Sequence, residues 1–167
     1  MSIENNPLVK QSPHKYGAVS FDEIKQEHFI PALEYAIKDA ERILDEVKNN
    51  TDAPTFENTA LPMETCSELM GTIAHTYFNL MSAESDNDFK ELAQQISPKL
   101  SAFSNNIHLD SKLFEKVKHL YENMDTENLN AEQKRLVSES YKGFTLNGAL
   151  LNDEDKEKVR QIDKELS

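Results

Sequence analysis

Cysteine and glycine are scarce in this 167-residue chain, and both shortages exclude classes of site. Cys66 is the single cysteine, so neither an intrachain disulfide nor a cysteine-rich metal site can form. The four glycines are not clustered, and none of them precedes the Lys-Ser/Thr pair of a phosphate-binding loop. Because such low cysteine use fits a reducing compartment, we expect a cytoplasmic protein.

Long apolar runs and alternating apolar and polar stretches are absent as well. No segment approaches the roughly 20 apolar residues that a membrane-spanning helix requires. The first residues carry neither the basic region nor the apolar run of a signal peptide. No alternating stretch is long enough to indicate a β-strand. The sequence therefore predicts an all-α protein.

Acidic side chains outnumber basic ones, 30 to 18, which gives a formal net charge of −12. A negative field of this size repels nucleic-acid phosphates and anionic lipid, so we expect neither nucleic-acid nor membrane-surface binding. A chain of 167 residues has the usual size of one domain and can bury a core without disulfides. The composition thus favours a globular protein whose partners are not polyanions.

Helical periodicity runs through the chain from Phe21 onward. Residues 1–20 lack this periodicity and contain Pro7 and Pro13, so we expect an extended N-terminal arm there and one helical domain over 21–167. Apolar residues spaced three and four apart predict about six helices in antiparallel hairpins. Two of them should begin near 111 and 153, and the others cover about 27–49, 61–83, 89–107 and 131–146.

Capping residues predict where these helices begin. Ser20, with Glu23 three residues later, resembles a capping box that opens a short helical turn. Pro98 lies in the middle of the third predicted helix and should kink it. The N-caps of the second, fourth, fifth and sixth helices are predicted to be Thr59, Asp110, Asn130 and Asn152.

No group of residues in the sequence has the pattern of an active site. None of the five histidines begins a His-Glu-x-x-His zinc motif, so we predict no catalytic, cofactor-binding or metal-binding residue in this chain. His75 is predicted to be a structural histidine on a buried-to-rim helix face, and Cys66 a small buried core residue. His108 and His119 are separated by a predicted helix break and should not pair.

Two acidic clusters have structural explanations. Asp153, Glu154 and Asp155 lie in the first turn of the last predicted helix, where the helix dipole favours negative charge. The second cluster, within 84–88, lacks the glycine and the regularly spaced oxygen ligands of a calcium loop. Neither cluster therefore indicates a metal site.

The last predicted helix is amphipathic to its end. Val159, Ile162 and Leu166 form a continuous apolar stripe. No glycine or other helix-ending residue follows Leu166. We therefore expect this chain to be the N-terminal piece of a longer protein that is cut within a helix.

Several segments of the chain, taken in order, carry a family resemblance. They are residues 6–8, 21–32, 53–59, 77–83, 96–101, 129–136 and 148–167. Each segment alone is a weak motif, but the ordered set spans nearly the whole chain. With this set the chain resembles the N-terminal region of the thimet-oligopeptidase-like (M3) family of zinc metallopeptidases, in particular its bacterial peptidyl-dipeptidase and oligopeptidase A members.

This resemblance implies a helical domain that forms one wall of a deep channel open to short peptides. In the family the opposite half holds zinc through a His-Glu-x-x-His helix and a distant Glu, and none of those positions exists here. The chain is therefore expected to be inactive alone, with the missing catalytic half and short peptides as its partners. One departure is Leu146, two residues after Phe144, where family members often have Arg.

Two other functions stay open on the residues alone. A stand-alone helical module without enzymatic activity would bind a helix or peptide in a groove between its own helices. A self-sufficient metalloenzyme would need inward-facing carboxylate and histidine ligands, which the uninterrupted apolar stripes disfavour. If the chain is part of a peptidase, the face toward the other half is exposed in isolation, and we expect self-association through it.

Overall fold

A computed structural model describes residues 2–84 and 86–166 of the chain, without the side chains of Glu84 and Asp88. No strand occurs in this part of the chain, which confirms the all-α prediction. Six helices have at least 13 residues, as the sequence predicts, and α2 is an additional short one. The helices are α1 (Phe29–Asn49), α2 (Leu61–Thr65), α3 (Glu68–Glu84), α4 (Asn87–His108), α5 (Ser111–Asn123), α6 (Ala131–Leu146) and α7 (Asp153–Leu166).

The chain divides into two compact units. Unit 1 consists of Met1–Ala40 and Ser67–Lys99, and unit 2 of Glu41–Cys66 and Leu100–Ser167. The division falls inside α1 and inside α4, so each of these helices contributes residues to both units. The sequence-based boundaries at 1–20 and 21–167 stay a prediction.

The segment before α1 contains four short 3-10 turns, all in unit 1. Asn6 is buried there: its Nδ2 donates to the backbone oxygen of His28 at 2.9 Å, and its Oδ1 accepts from the backbone N–H of Leu8 at 3.0 Å. The predicted turn after Ser20 is present, but the predicted capping box is wrong. The Ser20 side chain makes no capping bond, and the Glu23 carboxylate accepts from Lys10 Nζ at 3.2 Å.

Aromatic rings from three helices pack together in the core of unit 1. Phe29, at the start of α1, meets Tyr77 of α3 edge-on with ring centroids 5.4 Å apart, and it meets Phe89 of α4 at 5.7 Å. Tyr77 is fully buried, and its hydroxyl donates to the backbone oxygen of Phe89 at 2.6 Å. Burial raises the pKa of the Tyr77 phenol. Each of these rings therefore contacts another ring, and the Tyr77 hydroxyl has a hydrogen-bond acceptor.

The predicted helix over 61–83 is interrupted. Helix α2 ends at Thr65 and α3 begins at Glu68, so the sequence pattern joined two helices into one. Thr59 is not an N-cap, because it lies inside a π-helical turn, Phe56–Ala60, that precedes α2. The cap of this turn is Thr55, whose hydroxyl accepts from the backbone N–H of Asn58 at 3.1 Å. The N-cap therefore lies four residues before the predicted one.

Unit 2 has its core where α5, α6 and the π-helical turn meet, around Phe56, Ala60, Leu120 and Val137. The remaining three predicted N-caps are confirmed. Asp110 accepts from two backbone N–H groups of α5, Asn130 from that of Gln133, and Asn152 from that of Asp155. These short polar side chains satisfy N–H groups that have no partner within the helix.

Candidate functional site

Unit 2 contains a cleft of about 360 Å³, which we call the charged cleft. Residues of α1, α4, α5 and α7 line it, together with the residue that caps α5. Its apolar lining residues are Leu44, Phe103, Ile107 and Leu113. Its charged and polar lining residues are Glu41, Asp45, Lys48, Asn106, Asp110 and Arg160. Polar and charged residues thus outnumber apolar ones in this lining, whereas most small-molecule pockets are predominantly apolar.

Lys48 lies among the carboxylates of the charged cleft. Its Nζ is 2.6 Å from Asp45 Oδ1, one turn earlier on α1, and 3.5 Å from Asp110 Oδ2. The hydrogen bond that Lys48 donates to Asp45 raises the pKa of Lys48 above its usual value of 10.5. Partial burial opposes this rise, and the negative charge of Asp110 adds to it. Lys48 is therefore protonated at neutral pH, and its single positive charge is shared between two carboxylates.

Asp110 uses both of its side-chain oxygens. Oδ1 accepts from the backbone N–H groups of Lys112 at 2.8 Å and Leu113 at 3.0 Å, and Oδ2 faces Lys48. A second cleft of about 410 Å³ shares Lys48, Asp45 and Asp110 with the first. The ion pairs thus lie at the boundary of two open spaces within unit 2.

Helix α7 is oriented differently from what its apolar stripe suggests. Lys156 is buried and its Nζ donates to Ser111 Oγ at 2.8 Å, while Ile162 and Leu166 are 54% and 80% exposed. The inward face is centred on Lys156 and Asp163, so the apolar stripe lies to one side of it. Large aliphatic side chains before α7 are exposed too, namely Leu146, Leu150 and Leu151. We call these three, with Ile162 and Leu166, the exposed aliphatic residues.

The structure places the predicted histidines and the cysteine as follows. His75 is exposed, so its predicted place on a buried-to-rim face is wrong. Ile73 and Tyr77 are buried, and His75, midway between them in the sequence, lies on the opposite face of α3. Cys66 is buried, and burial raises its pKa to about 11, which keeps the thiol protonated. His108 contacts the ring of Phe144 with centroids 5.5 Å apart.

The acidic clusters have ordinary roles where they are described. Asp86 Oδ1 caps α4 by accepting from the backbone N–H of Phe89 at 2.7 Å, while the side chains of Glu84 and Asp88 lie outside the described residues. Asp155 and Glu154 each lie 2.9 Å from Lys158 Nζ on the same helix. Within the described part of the chain, no three His, Cys, Asp or Glu side chains come together to hold a metal ion, so these residues do not fit a zinc site.

None of the described helices combines the length and the apolar character that crossing a membrane requires. The charged cleft was not predicted from the sequence, because its lining residues come from four separate helices. One signal was available: Glu41, Asp45 and Lys48 recur at spacings of four and three, which places them on one face of α1.

Comparison with known proteins identifies relatives of this chain. The family model described as the neurolysin/thimet oligopeptidase N-terminal domain matches residues 32–156. The chain is 31% identical to the dipeptidyl carboxypeptidase of Salmonella typhimurium, over 98% of this chain and 24% of that protein. It is 29% identical to the Escherichia coli dipeptidyl carboxypeptidase, over 96% and 24%. It is 25% identical to oligopeptidase A of Salmonella typhimurium, over 97% and 23%. The chain thus spans about a quarter of the length of the curated relatives it matches.

Proposed function

Because the chain belongs to the neurolysin/thimet oligopeptidase family, within its N-terminal domain, we propose that it forms one wall of the substrate channel of a zinc peptidase acting on short peptides. The observation that carries this proposal is the match to an N-terminal domain together with relatives about four times its length. A dipeptidyl carboxypeptidase and an oligopeptidase A are both among these relatives. The higher identity to the former favours release of dipeptides over internal cleavage.

In this proposal the hydrolytic chemistry belongs to another part of the longer protein. A catalytic zinc site needs three protein ligands, and the described side chains offer no such group. The 167-residue chain is therefore proposed to be inactive alone, and to contribute shape and contacts to the channel. We also propose a cytoplasmic location, for which the single cysteine is the support.

The exposed aliphatic residues are proposed to contact the remainder of the peptidase. Leu146 is 75% exposed and Leu166 is 80% exposed. Large contiguous apolar patches mark interaction surfaces, and we propose that these five side chains, all in unit 2, form one. Leu146 is the position where family members often have Arg, so in this protein the contact there would be apolar rather than charged. Without the remainder, these residues are expected to promote self-association of the chain.

The proposal is tested with an antibody raised against this chain and a lysate of its source cells. We expect a band several times heavier than 19.1 kDa. The immunopurified protein should hydrolyse short unstructured peptides, lose that activity to a chelator, and recover it with zinc. Mass spectrometry of the products distinguishes dipeptide release from internal cleavage. The 167-residue chain with added zinc serves as the inactive control.

A stand-alone helical binding module is the second candidate function, and the charged cleft is the observation that favours it. The same immunoblot separates the two functions. A single band at 19.1 kDa would contradict the peptidase proposal and favour the module. A heavy band without zinc-dependent hydrolysis would contradict the catalytic part of the proposal only.

A further inference from the structure

The charged cleft holds two opposite charges that do not neutralise each other. Glu41 of α1 and Arg160 of α7 both line it, yet no ion pair joins them within the described residues. Glu41 makes no hydrogen bond or ion pair with any described residue. Among the described residues Arg160 has one ion pair, to Glu157, with Nη1 and Oε2 3.5 Å apart, which leaves most of its five N–H donors unused.

The other charges of the cleft are already paired. Lys48 is held by Asp45 at 2.6 Å and by Asp110 at 3.5 Å. A ligand therefore meets one available carboxylate and one available guanidinium rather than a uniformly acidic surface. This arrangement suits a molecule that carries one positive and one negative group.

The charged cleft also has apolar lining residues. Leu44, Phe103 and Leu113 line the cleft and are at most 5% exposed, so they form a fixed surface. Ile107 is partly exposed beside them. The volume of about 360 Å³ lies near the lower end of the range for small-molecule pockets. A ligand of this site is therefore small and carries an apolar part between or beside its charges.

We propose that the charged cleft binds the free ends of a short peptide, with the α-ammonium at Glu41 and the α-carboxylate at Arg160. A peptide of two residues spans up to about 7 Å in extended form, which is compatible with a pocket of this size. Arg recognises a carboxylate through two parallel N–H donors, and Glu accepts from an ammonium. Apolar side chains of the peptide pack on Leu44 and Phe103. This site requires no catalytic activity of the chain.

The experiment measures binding of four peptides to the 167-residue chain by ¹⁵N-resolved NMR titration. The probes are Ala-Phe, its C-terminal amide, its N-acetyl form, and the form blocked at both ends. We expect Ala-Phe to bind with a Kd near the millimolar range, because the charges are near the surface. Each singly blocked form should bind about tenfold more weakly, and the doubly blocked form should not bind measurably. Shifts should centre on residues of α1, α4 and α7 at the cleft.

Two substitutions assign the ends of the peptide. Arg160→Gln should make Ala-Phe bind no better than its amide does, and Glu41→Gln should make Ala-Phe bind no better than its N-acetyl form does. Lys158→Gln is the matched control, because this cation lies on α7 but does not line the cleft, and it should leave all four affinities unchanged. Both substituted side chains are charged and line an open cleft, so we expect the fold to survive, which the NMR spectrum reports directly.

Equal binding of the blocked and unblocked peptides would overturn the proposal, as would shifts that map away from the cleft. Equal effects of Arg160→Gln and Lys158→Gln would also overturn it. If either cleft variant does not fold, the four-peptide series on the unmodified chain still decides the outcome. Peptide hydrolysis by the longer protein is a separate measurement, so this result and the peptidase result can fail independently.

Discussion

Tyr77 of unit 1 and Lys156 of unit 2 are both almost completely buried, with exposures of 0% and 4%. Tyr77 is surrounded by the rings of Phe29 and Phe89, and its hydroxyl has a backbone acceptor. Lys156 donates to a serine hydroxyl at the start of α5. Tyr77 is thus a buried hydroxyl among aromatic rings, whereas Lys156 is a buried charged side chain.

The two units differ in how their side chains contribute to stability and in the candidate binding features that they carry. A closed aromatic core contributes stability through apolar burial and ring contacts. Partly exposed ion pairs such as those of Lys48 contribute little stability. The exposed aliphatic residues also belong to unit 2. Unit 2 is thus where the candidate binding features of the described chain are found.

The largest expected effect tests the aromatic core of unit 1. Tyr77→Ala should lower the free energy of unfolding by about 3–5 kcal/mol, because it leaves a cavity beside Phe29 and Phe89. Tyr77→Phe should cost about 1–3 kcal/mol, since only the bond to the Phe89 carbonyl is lost. Urea unfolding followed by circular dichroism measures both. His75→Ala, on the exposed face of α3, is the control. If Tyr77→Ala lowers the free energy of unfolding no more than His75→Ala does, the description of the core is wrong.

A pair of glycine substitutions gives an intermediate effect of opposite sign in the two units. Gly148, between α6 and α7, has φ +95°, and a Cβ there would lie 3.0 Å from Leu151 Cδ1 and 3.3 Å from Leu109 Cδ2. Gly148→Ala should therefore cost about 1–3 kcal/mol. Gly71→Ala, within α3 and with open space around it, should instead stabilise by about 0.5–1 kcal/mol. Thermal melts of the two variants should shift in opposite directions, and a shared direction would contradict this backbone description.

The smallest effect concerns the ion pairs of the charged cleft. Lys48→Met should lower the free energy of unfolding by less than about 1 kcal/mol at pH 7, because the pairs are partly exposed. The pKa of Lys48 is raised by folding above 10.5, so its contribution is complete below that pH. It is lost as the pH rises through the folded-state pKa.

The measurement for Lys48 is the difference in urea midpoint between the unmodified chain and Lys48→Met from pH 7 to pH 12. The difference should shrink above pH 10.5. In an Asp45→Asn background the effect of Lys48→Met at pH 7 should be smaller, since the shorter ion pair is already absent. A difference that grows with pH would show that Lys48 does not stabilise the fold as a cation.

The sequence predicted what depends on local interactions. Asp110, Asn130 and Asn152 were identified as caps because a short polar side chain before an amphipathic segment has few other roles. The same reasoning was wrong at Thr59, because Thr59 lies inside a π-helical turn whose N-cap is Thr55. Periodicity alone does not distinguish such a turn from the first turn of an α-helix.

The parts that could not be predicted depend on contacts between distant segments. The apolar neighbours of His75 predict a buried-to-rim face, but which face of α3 is covered depends on the helices around it. The stripe of α7 was identified correctly, yet burial of Lys156 turns Ile162 and Leu166 outward. The charged cleft combines residues from four helices, and no local pattern specifies that meeting.

The two roles of Asp110, as helix cap and as ion-pair partner, restrict which amino acids can replace it. Its position requires a short side chain whose one oxygen reaches two backbone N–H groups, and a negative charge on the other oxygen toward Lys48. Serine, threonine and asparagine supply the capping oxygen without the charge, while glutamate supplies the charge on a longer side chain that caps poorly. In a library of all substitutions selected for folding, we therefore expect this site to accept fewer amino acids than Asn130 or Asn152, which cap but carry no ion pair.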